Sequence, residues 1–134
     1  MNITTNSHVR TYALYLMSGF YLFAGFNHFW HPDFYLPLIP KWLPAPGLLN
    51  HISGIAEMVL GAVLLYQPAR VFAGWGIIML LVAFIPSHIY FIQLGGCVSE
   101  GLCVPGWVAW LRLLLIHPLL MGWAWWCAIK KYDS

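Results

Sequence analysis

Four long apolar stretches alternate with short polar segments along the chain and predict four helices. They cover approximately residues 12–29, 48–66, 71–94 and 107–129. A helix of about 20 apolar residues is long enough to cross a bilayer. We therefore predict an all-α fold, a polytopic four-transmembrane-helix bundle that forms a single membrane domain over residues 1–134.

The segment between the first two stretches differs from all other connections. Residues 31–47 contain five prolines, which exclude a continuous helix. Trp30, Tyr35 and Trp42 are aromatic residues of the kind that lie at headgroup depth. We predict that this segment is a proline-rich interfacial loop between helices 1 and 2.

Composition supports a membrane location. Of the 134 residues, 61% are hydrophobic and only 7% are charged, whereas a soluble domain carries about 25% charged residues. The net charge of +2 is too small for a nucleic-acid surface. The predicted partner is therefore the lipid bilayer and not a nucleic acid.

The positions of the basic residues predict the orientation. Arg10, Arg70, Lys130 and Lys131 flank the stretches on one side, and only Lys41 falls in the loops of the other side. Cytoplasmic loops carry the excess of Lys and Arg. We expect an inner (cytoplasmic) membrane protein of a bacterium with both termini in the cytoplasm.

Polar side chains inside the apolar stretches are the best indication of function, because ionisable groups in a bilayer are costly and usually face the bundle interior. Asn50, Ser53 and Glu57 share one face of the second helix. The complete predicted cluster, in the outer half of the bundle, is His28, Asn50, Ser53, Glu57, His88 and Arg112.

Two interpretations of this cluster remain open. It is either a ligand site or a structural feature in which a Glu57–Arg112 ion pair joins helices 2 and 4 and the histidines are hydrogen-bonded packing residues. His117, which precedes Pro118, is expected to serve the helix backbone rather than a ligand.

Motifs for most enzyme chemistries are absent from the sequence. It contains no HExxH metal pattern, serine-nucleophile motif, glycine-rich phosphate loop or CxxC pair. No metal is expected, no catalytic residue is assigned, and whether the chain is an enzyme is left open. Cys97 and Cys103 bracket the last outer loop and are candidates for a disulfide, with a redox-active pair or two free thiols as alternatives.

Several segments resemble the DoxX-like family of small integral membrane proteins over nearly the whole chain. The resemblance lies in His28-Phe29, Pro32 with Phe34, the PKWLP segment, the pattern of Ser53-Gly54, Glu57 and Gly61, Pro86, and Arg112. It implies a four-helix membrane bundle, and the family's namesakes are subunits of a thiosulfate:quinone oxidoreductase. The chain departs from the family pattern at Cys97 and Cys103, and at His88, where the resemblance implies Asn.

Our leading hypothesis is that the cluster binds a small lipophilic redox ligand such as a quinone, as part of a membrane oxidoreductase system. A non-enzymatic accessory or assembly subunit is the alternative, and a small-solute transporter is a third class. A redox or periplasmic partner protein and a homo-oligomer are both compatible with the sequence.

Overall fold

The computed structural model describes residues 3–131 and is helical over most of this range, with no strand beyond one isolated bridge within it. The first three long helices are α1 (Ile3–Trp30), α3 (Pro46–Val63) and α4 (Arg70–Gln93). The fourth is built from α5 (Gly106–Leu111) and α6 (His117–Ala124), with a π-helical segment after each, Arg112–Ile116 and Trp125–Ile129. Residues 1, 2 and 132–134 of the predicted domain lie outside the described residues.

The connections agree with the predicted proline-rich loop. After α1 the chain forms the short helix α2 (Pro32–Tyr35) and a 3-10 turn (Leu36–Leu38) before α3 begins. A second 3-10 turn, Gln67–Ala69, joins α3 to α4. The first helix begins well before the predicted residue 12. The prediction was short because hydropathy marks only the apolar part of a helix, and the first turns of α1 are polar.

Two helical stretches within residues 3–131 are long and apolar enough to cross a membrane, Gln67–Gln93 and Gly106–Ile129. Only 17% of the most apolar part of each is buried inside the fold, so their apolar side chains mostly face outward, unlike those of a soluble core. The other two long helices carry polar residues such as His28, Asn50 and Glu57, which lower their hydropathy.

Helices α1 and α3 pack closely because glycines face each other. A Cβ atom added at Gly25 would lie 2.5 Å from the carbonyl oxygen of Gly54, and one added at Gly54 would lie 2.8 Å from the carbonyl oxygen of Gly25. Further along, the Ser18 hydroxyl donates to the carbonyl oxygen of Gly61 at 2.7 Å. These contacts fix the relative positions of α1 and α3, which carry much of the predicted cluster.

The main hydrophobic core lies toward the end of the bundle where α1 and α4 begin. It is a cluster of buried side chains from all four long helices: Leu14, Met17, Tyr21, Leu64, Ala73, Ile77, Leu81, Ala124, Cys127 and Ala128. At that end, Arg10 Nε donates to the Cys127 carbonyl oxygen at 3.1 Å, and Arg70 Nε donates to the Leu64 carbonyl oxygen at 3.0 Å. Both arginines thus bind backbone carbonyls near the ends of helices.

A disulfide-bonded loop closes the opposite end of the bundle. The Sγ atoms of Cys97 and Cys103 lie 1.98 Å apart, at bonding distance. Two backbone hydrogen bonds flank the bridge, from Val98 N to Leu102 O at 3.0 Å and from Val104 N to Gly96 O at 2.8 Å. The two cysteines are therefore bridged and are not two free thiols.

Candidate functional site

A cavity of about 500 Å³ lies between the four long helices, beneath the proline-rich loop. Every residue of the predicted cluster lines it: His28, Asn50, Ser53, Glu57, His88 and Arg112. Leucine, isoleucine, phenylalanine and alanine side chains form most of the remaining wall. The helical spacing of the polar residues thus identified side chains that share one cavity.

His28 is held from two sides. Its Nδ1 atom lies 2.7 Å from Asn50 Oδ1, and Asn50 Nδ2 donates to the His28 carbonyl oxygen at 2.9 Å. The His28 ring also stacks on Tyr35, with ring centroids 3.7 Å apart and the planes inclined by 18°. Asn27 in turn donates to the Tyr35 hydroxyl at 2.9 Å. The ring of His28 is therefore fixed in orientation.

These contacts determine which nitrogen of His28 carries a proton. Because Asn50 uses its amide nitrogen on a carbonyl, its Oδ1 atom must accept, and Nδ1 of His28 must donate. The other nitrogen, Nε2, lies 3.4 Å from Glu57 Oε2. A hydrogen bond between these two atoms needs a proton on either Nε2 or Oε2.

Three buried polar atoms that line the cavity have no hydrogen-bond partner among the described residues: Tyr21 Oη, Glu57 Oε2 and Arg112 Nη1. The Glu57–His28 contact is within ion-pair distance but lacks hydrogen-bonding geometry. A buried polar group without a partner costs about 1–3 kcal/mol. Such a group at a cavity wall is suited to bind a molecule inside the cavity.

The ion pair considered from the sequence does not form. Within the described part of the chain, Glu57 contacts His28 and not Arg112. The guanidinium carbon of Arg112 instead lies 5.1 Å from the centroid of the Phe91 ring, a cation–π contact. The predicted ion pair between Glu57 and Arg112, joining helices 2 and 4, is therefore wrong. The depth of two residues along their helices does not determine whether their side chains point at each other.

The two histidines on the far wall form a second small group. The rings of His88 and His117 meet edge to face, with centroids 4.8 Å apart. His117 Nε2 donates to the Leu81 carbonyl oxygen at 2.5 Å, so it binds a helix backbone, as the sequence indicated. His88 interacts electrostatically with Arg112.

Sequence analysis missed two tyrosines of the site. Tyr21 lies two helical turns before His28, so the helical period that grouped the other residues could have found it. Tyr35 was assigned to headgroup depth, whereas the structure stacks it on His28. Burial of Tyr35 raises the pKa of its hydroxyl above the usual 10.0, so the hydroxyl remains a hydrogen-bond donor at neutral pH.

Across residues 3–131, no group of three or more His, Cys, Asp and Glu side chains is placed to hold a metal ion. The cavity offers hydrogen-bond donors and acceptors in a mostly apolar wall.

Comparison with known proteins gives one match. The model of a protein family described as a domain of unknown function, DUF8561, matches residues 17–128. Neither the curated proteins nor the solved structures gave a match. The matched range contains the whole predicted cluster and both bridged cysteines. None of these comparisons connects the chain to DoxX-like proteins, so that resemblance stays a prediction.

Proposed function

We propose that this chain, which belongs to the DUF8561 family, is a membrane protein that binds a quinone or a similar lipophilic redox carrier in its central cavity. The observation that carries the proposal is the set of three unpartnered buried atoms, on Tyr21, Glu57 and Arg112, around one mostly apolar cavity. Its volume of about 500 Å³ lies within the range of about 300–1,000 Å³ for small-molecule sites.

The chemistry of a quinone head suits two of these three groups, Tyr21 and Arg112. It is a flat apolar ring with a carbonyl oxygen on opposite sides, and each oxygen accepts hydrogen bonds. Arg112 Nη1 and the Tyr21 hydroxyl are donors without a partner. A guanidinium or hydroxyl donor offers a bond to a carbonyl oxygen, and the aliphatic wall accepts the ring and the start of its tail.

The pair of His28 and Glu57 supplies the acid–base part of the proposal. Conversion of a quinone to a quinol takes up two electrons and two protons. In this proposal the His28–Glu57 pair, within a framework fixed by Asn50 and Tyr35, delivers one of the two protons, and the second comes from water at the membrane surface. The electrons come from a partner protein of a membrane oxidoreductase system in this proposal.

The proposal includes four membrane spans in a bacterial inner membrane with both termini in the cytoplasm. Support comes from the two apolar helices, from the outward-facing apolar side chains on all four long helices, and from the location of Arg10, Arg70, Lys130 and Lys131 around one pocket at one end. The disulfide lies at the other end, which suits an oxidising periplasm. Labelling of single cysteines introduced at each end, from outside intact cells, tests this orientation.

The decisive experiment is a binding titration on the purified full chain in mild detergent. A short-tailed ubiquinone is added, and quenching of tryptophan fluorescence is followed. Loss of one hydrogen bond from a charged donor costs about 1.5–3 kcal/mol, so Arg112→Met should bind about 10–100-fold more weakly. Tyr21→Phe should bind about 2–10-fold more weakly, whereas Tyr15→Phe, on the exposed face of the same helix, should match the wild type.

Stability measured on the same variants separates a ligand site from a structural role. Arg112→Met removes the cation–π contact with Phe91 but also an unpartnered buried Nη1, so the two effects oppose each other and the thermal midpoint should change little. Loss of binding together with full stability supports a ligand site. If the wild type does not bind the quinone, or if Arg112→Met binds it equally well, the quinone proposal is wrong. A protein partner that co-purifies with the empty bundle would then favour an accessory subunit.

A further inference from the structure

A second pocket, of about 270 Å³, lies at the end of the bundle where α1 and α4 begin and the last helix ends. Its wall contains Arg10, Arg70, Lys130 and Lys131, which are four of the six Lys and Arg residues in the chain. It shares no residue with the central cavity. The proposed function does not use it.

The charge of this pocket is entirely positive. Its wall contains no Asp or Glu residue. Asp33 and Glu100 line a different pocket, and Asp33 follows the far end of α1. Arg10 and Trp30 are separated by 20 residues of helix, which is roughly 30 Å. Among the described residues, the pocket at the far end is therefore lined by carboxylates and this pocket by cations.

The cationic side chains are partly held in position. Arg10 and Arg70 each use Nε on a backbone carbonyl oxygen, of Cys127 and Leu64 respectively. A guanidinium has five N–H donors in a fixed fork, so the Nε contact orients Arg70 while its terminal N–H groups remain suited to an anion. Lys130 Nζ lies 5.6 Å from the centroid of the Trp125 ring.

The rest of the wall is suited to a lipid rather than to a free ion. Leu14, Val71 and Ile129 line the same pocket as the four cations. Val71 and its neighbour Phe72 are exposed on the outer surface of α4, where an acyl chain would lie in a bilayer. Basic pockets between transmembrane helices on the cytoplasmic side are binding sites for anionic lipid headgroups.

The geometry points to a specific binding site for the phosphodiester headgroup of an anionic phospholipid. Arg70, Lys130 and Lys131 bind the phosphate, and the lipid tails extend over the apolar wall beside Val71. Arg10, whose Nε and Nη2 atoms donate to the carbonyl oxygens of Cys127 and Lys130, adds positive charge to the wall. A free inorganic phosphate has the same charged group but gains nothing from that wall. A headgroup bound there contacts Arg70 at the start of α4 and Lys130 and Lys131 after the last helix, and so links these two parts of the chain.

The test is native mass spectrometry of the full chain in neutral detergent with equal amounts of phosphatidylglycerol and phosphatidylcholine of matched acyl chains. We expect phosphatidylglycerol to be retained preferentially. Each cation near a lipid headgroup contributes about fivefold, so Lys130→Gln with Lys131→Gln should weaken the preference about 25-fold. The control is Lys41→Gln, which removes a positive charge in the proline-rich loop and should change nothing.

Three results would overturn the inference. They are equal retention of the two lipids by the wild type, an unchanged preference in the double variant, and displacement of phosphatidylglycerol by inorganic phosphate, which would show a phosphate site instead. If the double variant is less stable because Lys130 leaves Trp125, the exposed Lys131→Gln alone provides the test, with an expected loss of about fivefold.

Discussion

The contact between α1 and α3 gives a quantitative prediction for Gly25→Ala. The added methyl group would lie 2.5 Å from the Gly54 carbonyl oxygen and 2.8 Å from Met58 N. Ordinary van der Waals contact begins near 3.4 Å. Because both contacts are with backbone, no side chain can rotate away, and the two helices must separate by about 0.9 Å.

This separation has an energetic and a functional consequence. Overpacking a close contact costs about 1–3 kcal/mol, and a backbone clash belongs at the upper end. Alanine recovers about 0.5–1 kcal/mol of helix stability relative to glycine, so the net loss should be about 2 kcal/mol. The hydrogen bond from His28 to Asn50 would lengthen from 2.7 Å to about 3.6 Å, beyond hydrogen-bonding range.

The assay is unfolding in a mild-detergent and SDS mixture, followed by far-UV circular dichroism. Gly19→Ala is the matched control, because it lies on the same helix and an added Cβ would meet nothing within 4 Å. We expect the control to be equal to or slightly more stable than the wild type. If Gly25→Ala unfolds at the same SDS fraction as the control and still binds the quinone, the close packing of α1 on α3 does not position the site.

Three further predictions address single contacts. Ser18→Ala should lower the free energy of unfolding by about 1 kcal/mol, because a buried hydrogen bond to Gly61 is lost. SDS unfolding measures this change, and an unchanged free energy would show that the hydrogen bond does not stabilise the fold. Cys97 and Cys103 should react with a maleimide only after reductant is added, and labelling of the untreated protein would show two free thiols. His117→Phe should lower the thermal midpoint by the equivalent of about 1 kcal/mol, since a carbonyl of α4 loses a donor, and a midpoint at or above the wild-type value would contradict this.

Hydropathy alone was sufficient to predict the four long helices. Apolar runs near the required length, ended by prolines or glycines, locate α3, α4 and the last helix within a few residues. The start of α1 was missed because the residues before Tyr12 are polar but helical. Hydropathy also could not predict the π-helical segment at Arg112–Ile116, because local widening of a helix depends on its neighbours.

The membership of the site was easier to predict than its contacts. Helical periodicity places Asn50, Ser53 and Glu57 on one face, and the structure does bring that face to the cavity. The contacts of each side chain depend on the rotation of its helix and on its rotamer, and the spacing of residues in the sequence determines neither. Glu57 therefore contacts His28, although its side chain and that of Arg112 are long enough to bridge the distance between them.

Some buried polar groups of the bundle make hydrogen bonds and others do not, and the second kind do not contribute to stability. The buried side chains of Ser18, Asn50 and His117 all make hydrogen bonds inside the bundle. Glu57 and Arg112 line one cavity without contacting each other, and Glu57 Oε2 and Arg112 Nη1 have no hydrogen-bond partner among the described residues. Stability alone would favour pairing them or replacing both by apolar residues. The separation of these two groups therefore supports the proposal that they bind a ligand in the cavity.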